Sequence, residues 1–288
     1  MKWVVAAGML ARLEQHGITA DLVVGTSGGG LVSAYYASGQ VRYGCTCVRY
    51  LNRKGYGRDG KSKRFINPAR LIKRQPAMDI EGLVDTVFGQ LVPLDWNTLR
   101  KGNIPAYMTA VGNNGVLHLL PLHGVSEAEQ KMALKNTSRV PAAAHHAADE
   151  DVLWDGVLLA SLPVKQAFEK GATHVLAVRC GGSDDKVHDT LQGLWRVIAL
   201  LAHWQNRKML PLLKQALKRQ AGELVELQSA GPEVLVMALP HVTIGVAEDD
   251  EAKLFRHMVA GYRHAGQMLE LPDAPLPPEW EPETALYL

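Results

Sequence analysis

The chain has 288 residues, 47% of them hydrophobic and 21% charged, with a net charge of +2. That composition is ordinary for a globular protein and excludes disorder as the default. It holds no uncharged apolar run of roughly 18 residues and no basic-then-apolar leader, so the expectation is a cytoplasmic protein without a spanning helix. Three cysteines, Cys45, Cys47 and Cys180, are too few for a disulfide framework and agree with a reducing compartment. Cys45-x-Cys47 lacks a second ligand pair at metal spacing and is read as two small buried hydrophobes.

In chain order, Val5, Met9, Leu10 and Leu13 repeat at helical spacing within 4–15, and Gly17 follows where a C-terminal cap belongs. Leu22-Val23-Val24 is short, apolar and β-branched, as a buried strand is, and 31–37 reads as a helix. Between them Gly25-Thr26-Ser27-Gly28-Gly29 fits Gly-x-Ser-x-Gly. A serine on a sharp strand-to-helix turn needs neighbours without side chains, and the helix N-terminus behind it favours an anion beside its oxygen. Ser27 is therefore the candidate nucleophile, with Gly25 and Gly29 allowing close backbone packing and Gly28 N–H a candidate oxyanion donor.

From Arg42 to Arg74 eleven basic residues face one acidic residue, Asp59, a stretch that can touch an anionic membrane surface, although solvated loop faces explain most of its side chains individually. Further along, 104–111, 152–154, 175–178 and 234–239 are strand-like, and 79–91, 126–136, 163–171, 190–221 and 251–269 helix-like. The alternation predicts an α/β fold with a sheet flanked by helices. One domain over 1–271 with a Pro-rich acidic tail over 272–288 is the economical division. The segment 190–220 carries a basic amphipathic pattern interrupted at Pro211, read as core packing with solvated faces.

A serine nucleophile needs a base, and Asp155, in Leu153-Trp154-Asp155-Gly156, stands at the end of a predicted strand with glycine at the turn. If it takes the serine proton directly, burial must raise its pKa toward the working pH. Gly156 gives the backbone room behind it.

These residues, in order, resemble the patatin-like phospholipases: Gly25-Thr26-Ser27-Gly28-Gly29, then Ser138-Arg139-Val140-Pro141, Trp154-Asp155-Gly156 leading to Leu162-Pro163-Val164, and 171–178. The stretch from Pro240 to Glu251, followed by Gly261-Tyr262, looks like a bacterial branch of that family. The resemblance implies a three-layer α/β fold with a central, mostly parallel sheet. It implies a Ser27–Asp155 dyad with no histidine, metal or organic cofactor, hydrolysing fatty acyl esters of phospholipids or lysophospholipids. The chain departs from the family pattern twice. Asp155-Gly156 is followed by Val157 rather than by glycine or alanine, and the chain opens at Met1-Lys2-Trp3, already at the first helix. The family's opening strand and Gly-rich oxyanion loop precede that helix, so the expectation is either a true start upstream of Met1 or a weak or inactive hydrolase.

Two alternatives accompany this reading. One is a lipid-binding protein of the same fold with little or no activity. The other is an α/β-hydrolase triad of Ser27, Asp155 and His174 or His241, but that fold places several strands before its nucleophile and only 26 residues precede Ser27. His145-His146 has no carboxylate at ligand spacing. Gly28-Gly29-Gly30 is followed by Leu31-Val32, which excludes a phosphate-binding Walker loop, and no reader motif accompanies the basic stretch, so no nucleic-acid partner is expected.

Overall fold

The computed structural model describes residues 1–51, 55–56, 64–67, 69–70, 75–141, 143, 152–182, 231–245 and 247–280. The expected helix over 190–221, His145-His146 and seven of the eleven basic residues lie outside them.

Helix α1 (Trp3–Gln15) buries Val4, Val5, Met9 and Leu13 and ends as its sequence predicts. Gly17, at φ 66°, bonds back to Glu14 O and Ile18 N–H to Leu13 O, two crossed bonds that satisfy orphan carbonyls. Strand β1 (Val23–Gly25) follows and turns directly into α2 (Ser27–Ala37), so the helix expected from residue 31 starts four residues earlier, at the serine itself. A short helix α3 (Val41–Gly44) and a 3-10 turn (Cys45–Tyr50) come next. Cys45 and Cys47 are buried there, and burial pushes both thiols up, which leaves them unreactive packing groups.

The helix expected over 79–91 is realised in two parts. Asp79 caps α4 (Ile80–Gly82) by accepting from Gly82 N–H at 2.9 Å, and a π-helix (Leu83–Leu91) continues it. Helix α5 (Trp96–Lys101), capped by Asp95, leads to β2 (Ala106–Val111) and β3 (Leu117–Pro121). Helix α6 (Glu127–Thr137) opens with a full capping box between Ser126 and Glu129. Then come β4 (Trp154–Asp155), a 3-10 turn (Gly156–Leu158), α7 (Val164–Glu169), β5 (Val175–Val178), β6 (Val234–Met237) and α8 (Glu251–Met268).

The fold is α/β as expected, but the sheet is mixed rather than mostly parallel. Strand β2 pairs with β1 in parallel and with β3 and β4 antiparallel, while β5 and β6 form a separate parallel pair. The β2–β3 pairing is a tight hairpin, which a single buried strand over 104–111 did not anticipate. A cleft of about 840 Å³ is lined by residues of both β1 and β5.

Helices α1 and α8 meet backbone to backbone. A Cβ at Gly8 would collide with Met258 O, and one at Gly261 with Val5 O. Arg12, almost fully buried, locks this pair: Nη1 donates to Tyr262 Oη at 2.9 Å and Nη2 to Pro272 O at 2.5 Å. The start of the Pro-rich stretch is thereby held to the body. Trp280, 1% exposed, donates from Nε1 to Arg42 O at 2.9 Å and packs edge-on against Tyr262. The basic stretch is partly turned inward as well, since Arg42 pairs with Glu14 at 2.9 Å and Arg49 donates to Glu279 O.

Candidate active site

The pairing scheme brings the two ends of the site together. Strand β3 occupies one edge of β2 along its length, so β1 and β4 must share the other edge end to end. Strand β1 climbs in parallel and stops where Gly25 faces Met108, while β4 descends antiparallel and stops where Asp155 faces Ala110. The two C-terminal ends therefore meet head to head across Thr109, and the next turn of each chain must leave the sheet there. Ser27 leaves by the first turn and Asp155 by the second.

Ser27 has φ 54°, one of two described non-glycine residues with positive φ. A left-handed serine is strained by about 1–2 kcal/mol and persists only where its surroundings enforce it. The enforcement is visible. A Cβ on Gly25 would stand 2.5 Å from Gly30 Cα, and one on Gly28 would stand 2.9 Å from Trp3 Cβ, so both must be glycine for β1, α2 and Trp3 to close up. Gly29 behaves otherwise. Nothing lies within 4 Å of a Cβ there, and the close approach expected of it belongs to Gly30, which faces Met108. Since Gly30 N–H donates to Thr26 O, the N–H groups of Gly28 and Gly29 are first-turn donors without an acceptor inside the helix.

Ser27 Oγ donates to Asp155 Oδ2 at 2.6 Å. The other carboxylate oxygen, Oδ1, accepts from Val157 N–H at 2.9 Å, and Asp155 N–H donates to Arg139 O at 2.9 Å. Asp155 is fully buried, and burial pushes its pKa from 3.8 up to about 7, against the opposing pull of the bonds from Ser27 and Val157. A Cβ on Gly156 would collide with Thr109 Oγ1, so the turn after Asp155 closes against β2 only with glycine there.

The two histidines considered for a triad stand elsewhere. His174 and His241 are exposed, and among the described residues the side chain of Asp155 bonds to Ser27 and Val157 and to neither of these histidines.

Three threonines that sequence reading passed over tie the site together. Thr26 Oγ1 lies 2.7 Å from Thr109 Oγ1 and donates to Ala160 O at 2.8 Å, which fastens the serine turn to the loop after Asp155. Thr137 Oγ1 accepts from Ser27 N–H at 3.0 Å. Thr109 and Thr137 are wholly buried and Thr26 nearly so. The one available signal was position: Thr26 inside the motif, Thr137 beside Ser138-Arg139-Val140-Pro141.

Among the described residues no helix is long and apolar enough to cross a membrane. Compared with known proteins, residues 1–168 match the model of the patatin-like phospholipase family. The chain is 27% identical over 198 residues to the lysophospholipase NTE1 of Scheffersomyces stipitis, a span of 65% of this chain and 12% of that protein. It is also 27% identical over 207 residues to the lysophospholipase NTE1 of Meyerozyma guilliermondii, covering 68% of this chain and 13% of that one. The chain thus spans about an eighth of the length of these curated relatives. Both are yeast proteins, so they lend nothing to the expected bacterial branch. With more than half its length matched by one family model, the chain belongs to the patatin-like phospholipase family.

Proposed function

We propose that this chain is a serine acyl hydrolase that cleaves fatty acyl esters of phospholipids or lysophospholipids through a Ser27–Asp155 dyad. The observation that carries the reading is the 2.6 Å bond from Ser27 Oγ to a buried carboxylate whose pKa has risen to about 7. A base near neutrality is deprotonated often enough to accept a proton and acidic enough to return it.

The steps then balance. Ser27 Oγ attacks the ester carbonyl carbon as its proton passes to Asp155 Oδ2, and the carbonyl oxygen becomes an oxyanion. Among the described residues, first-turn N–H groups at Gly28 and Gly29, with the α2 dipole behind them, are donors for that charge. Collapse breaks the ester C–O bond, the leaving alkoxide takes the proton from Asp155, and the acyl group stays on Ser27. A water then attacks the acyl-serine, giving its proton to Asp155, which returns it to Ser27 Oγ as the fatty acid departs. The names of the yeast relatives point to a lysophospholipid as the first substrate to try.

A fluorophosphonate probe followed by peptide mass spectrometry tests the nucleophile. The parent protein should carry the adduct on Ser27, and Ser27→Ala should lose labelling. Equal labelling of that variant would remove Ser27 from its role.

A further inference from the structure

We infer that Thr137 is a positioning residue for the nucleophile: its hydroxyl oxygen holds the Ser27 backbone in the left-handed conformation from which Oγ reaches Asp155. This rests on the dyad reading above. Ser27 is the first residue of α2, so its N–H has no acceptor within the helix. The ladder between β1 and β2 has already ended at Gly25, so the sheet offers none either. Thr137 Oγ1 supplies the acceptor at 3.0 Å from a side chain that is itself 0% exposed, while Ser27 is half-buried. Without that oxygen the N–H would lose its protein acceptor, and the strained φ of 54° could relax only by swinging the serine side chain off its line to Asp155.

The threonine is itself held in place. It ends α6, whose start is fixed by a capping box, and a Cβ at Gly30 would stand 3.2 Å from its Cγ2. With the methyl seated over Gly30, the β-branched side chain has its oxygen left for Ser27. Two residues on, Arg139 O accepts the Asp155 N–H at 2.9 Å. One short segment, 137–139, therefore grips the backbone of both dyad members and sets the distance between them. Placement errors of about 1 Å cost an enzyme roughly 10²-fold in rate, which is the scale on which such a grip acts.

The test compares Thr137→Val, which keeps the shape and removes the acceptor, with Thr137→Ser, which keeps the oxygen. Rates of fluorophosphonate labelling at Ser27, kcat and KM on a lysophospholipid, and thermal melts are recorded for each. The valine variant should label and turn over about 10–100-fold more slowly with KM within about twofold, and the serine variant should recover to within about threefold of the parent. Parent-like labelling and kcat in a folded valine variant would overturn the inference, as would a serine variant impaired as deeply as valine or a loss confined to KM. If valine does not melt cooperatively, Thr137→Ala against Thr137→Ser decides by the same rates. A parent protein unlabelled at Ser27 overturns the nucleophile assignment and this role together, whereas a labelled parent with an unaffected valine variant overturns this role alone.

Discussion

A carboxyl group with no exposure to water and two hydrogen bonds to it is expensive in its charged form, and Asp155 is such a group. Its folded pKa of about 7 lies above the 3.8 of the unfolded chain, so the folded state holds the proton more tightly. Its contribution to stability is therefore fully present below pH 3.8 and is lost as pH rises through about 7, a change on the order of 4 kcal/mol. The same desolvation that suits Asp155 to the proposed role of base works against the fold at alkaline pH. Asp155→Asn removes the charge and keeps the shape. Its melting temperature should exceed the parent's by several degrees at pH 9, with the gap closing toward pH 5, as read by thermal melts across that range. A variant that melts below the parent at both pH values would show that the carboxylate is not under desolvation stress. Asp155 as a residue was legible in the sequence, because a carboxylate before glycine at a strand end is a local pattern. Its burial was not, since that depends on what covers it.

At the level of elements, α1 and α8 were legible because each carries apolar residues at helical spacing, with Gly17 marking the end of α1, whereas α6, which buries Gln130, Asn136 and Thr137 beside Ala133 and Leu134, is marked by Ser126 with Glu129 at its start. Strand β3 escaped, although Asn114-Gly115 between two apolar runs is a hairpin signal; Gly112 N–H bonding to Val116 O closes that turn. The head-to-head meeting of β1 and β4 was beyond local reading altogether, because it depends on both strands choosing the same edge of β2. Gly156 sits at that junction. Gly156→Ala would drive a methyl into Thr109 and push the turn after Asp155 away from Thr26 and Ala160. Overpacking of this kind destabilises by about 1–3 kcal/mol. Activity should fall further than that cost explains, because the proposed base itself moves. Denaturant unfolding and turnover of Gly156→Ala check the two halves. A variant of parental activity would mean that the turn can shift without moving the carboxylate.

Across the whole molecule, the site draws on elements far apart in sequence that the core holds in register. Trp3 of α1 packs on Gly28, Thr137 ends α6, Thr109 lies in β2, and Ala160 follows the 3-10 turn. The proposed dyad, Ser27 and Asp155, could be picked out because Gly-x-Ser-x-Gly and Asp-Gly are short motifs. The threonines that hold them could not, since a buried threonine has no signature until its partner is known. The stretch from Pro272 to Trp280, a Pro-rich tail by composition, is seated on the body where Arg12 Nη2 donates to Pro272 O and Trp280 Nε1 donates to Arg42 O. The central claim is that Asp155, and no histidine, accepts the Ser27 proton. The most direct measurement is the pH dependence of kcat/KM on a lysophospholipid for the parent, Asp155→Asn, His174→Ala and His241→Ala. The parent should show a rising limb with an apparent pKa near 7, unchanged in both histidine variants, while Asp155→Asn falls by orders of magnitude at every pH. A histidine variant that loses both the limb and the turnover with its fold intact, or an asparagine variant that keeps them, would contradict the account.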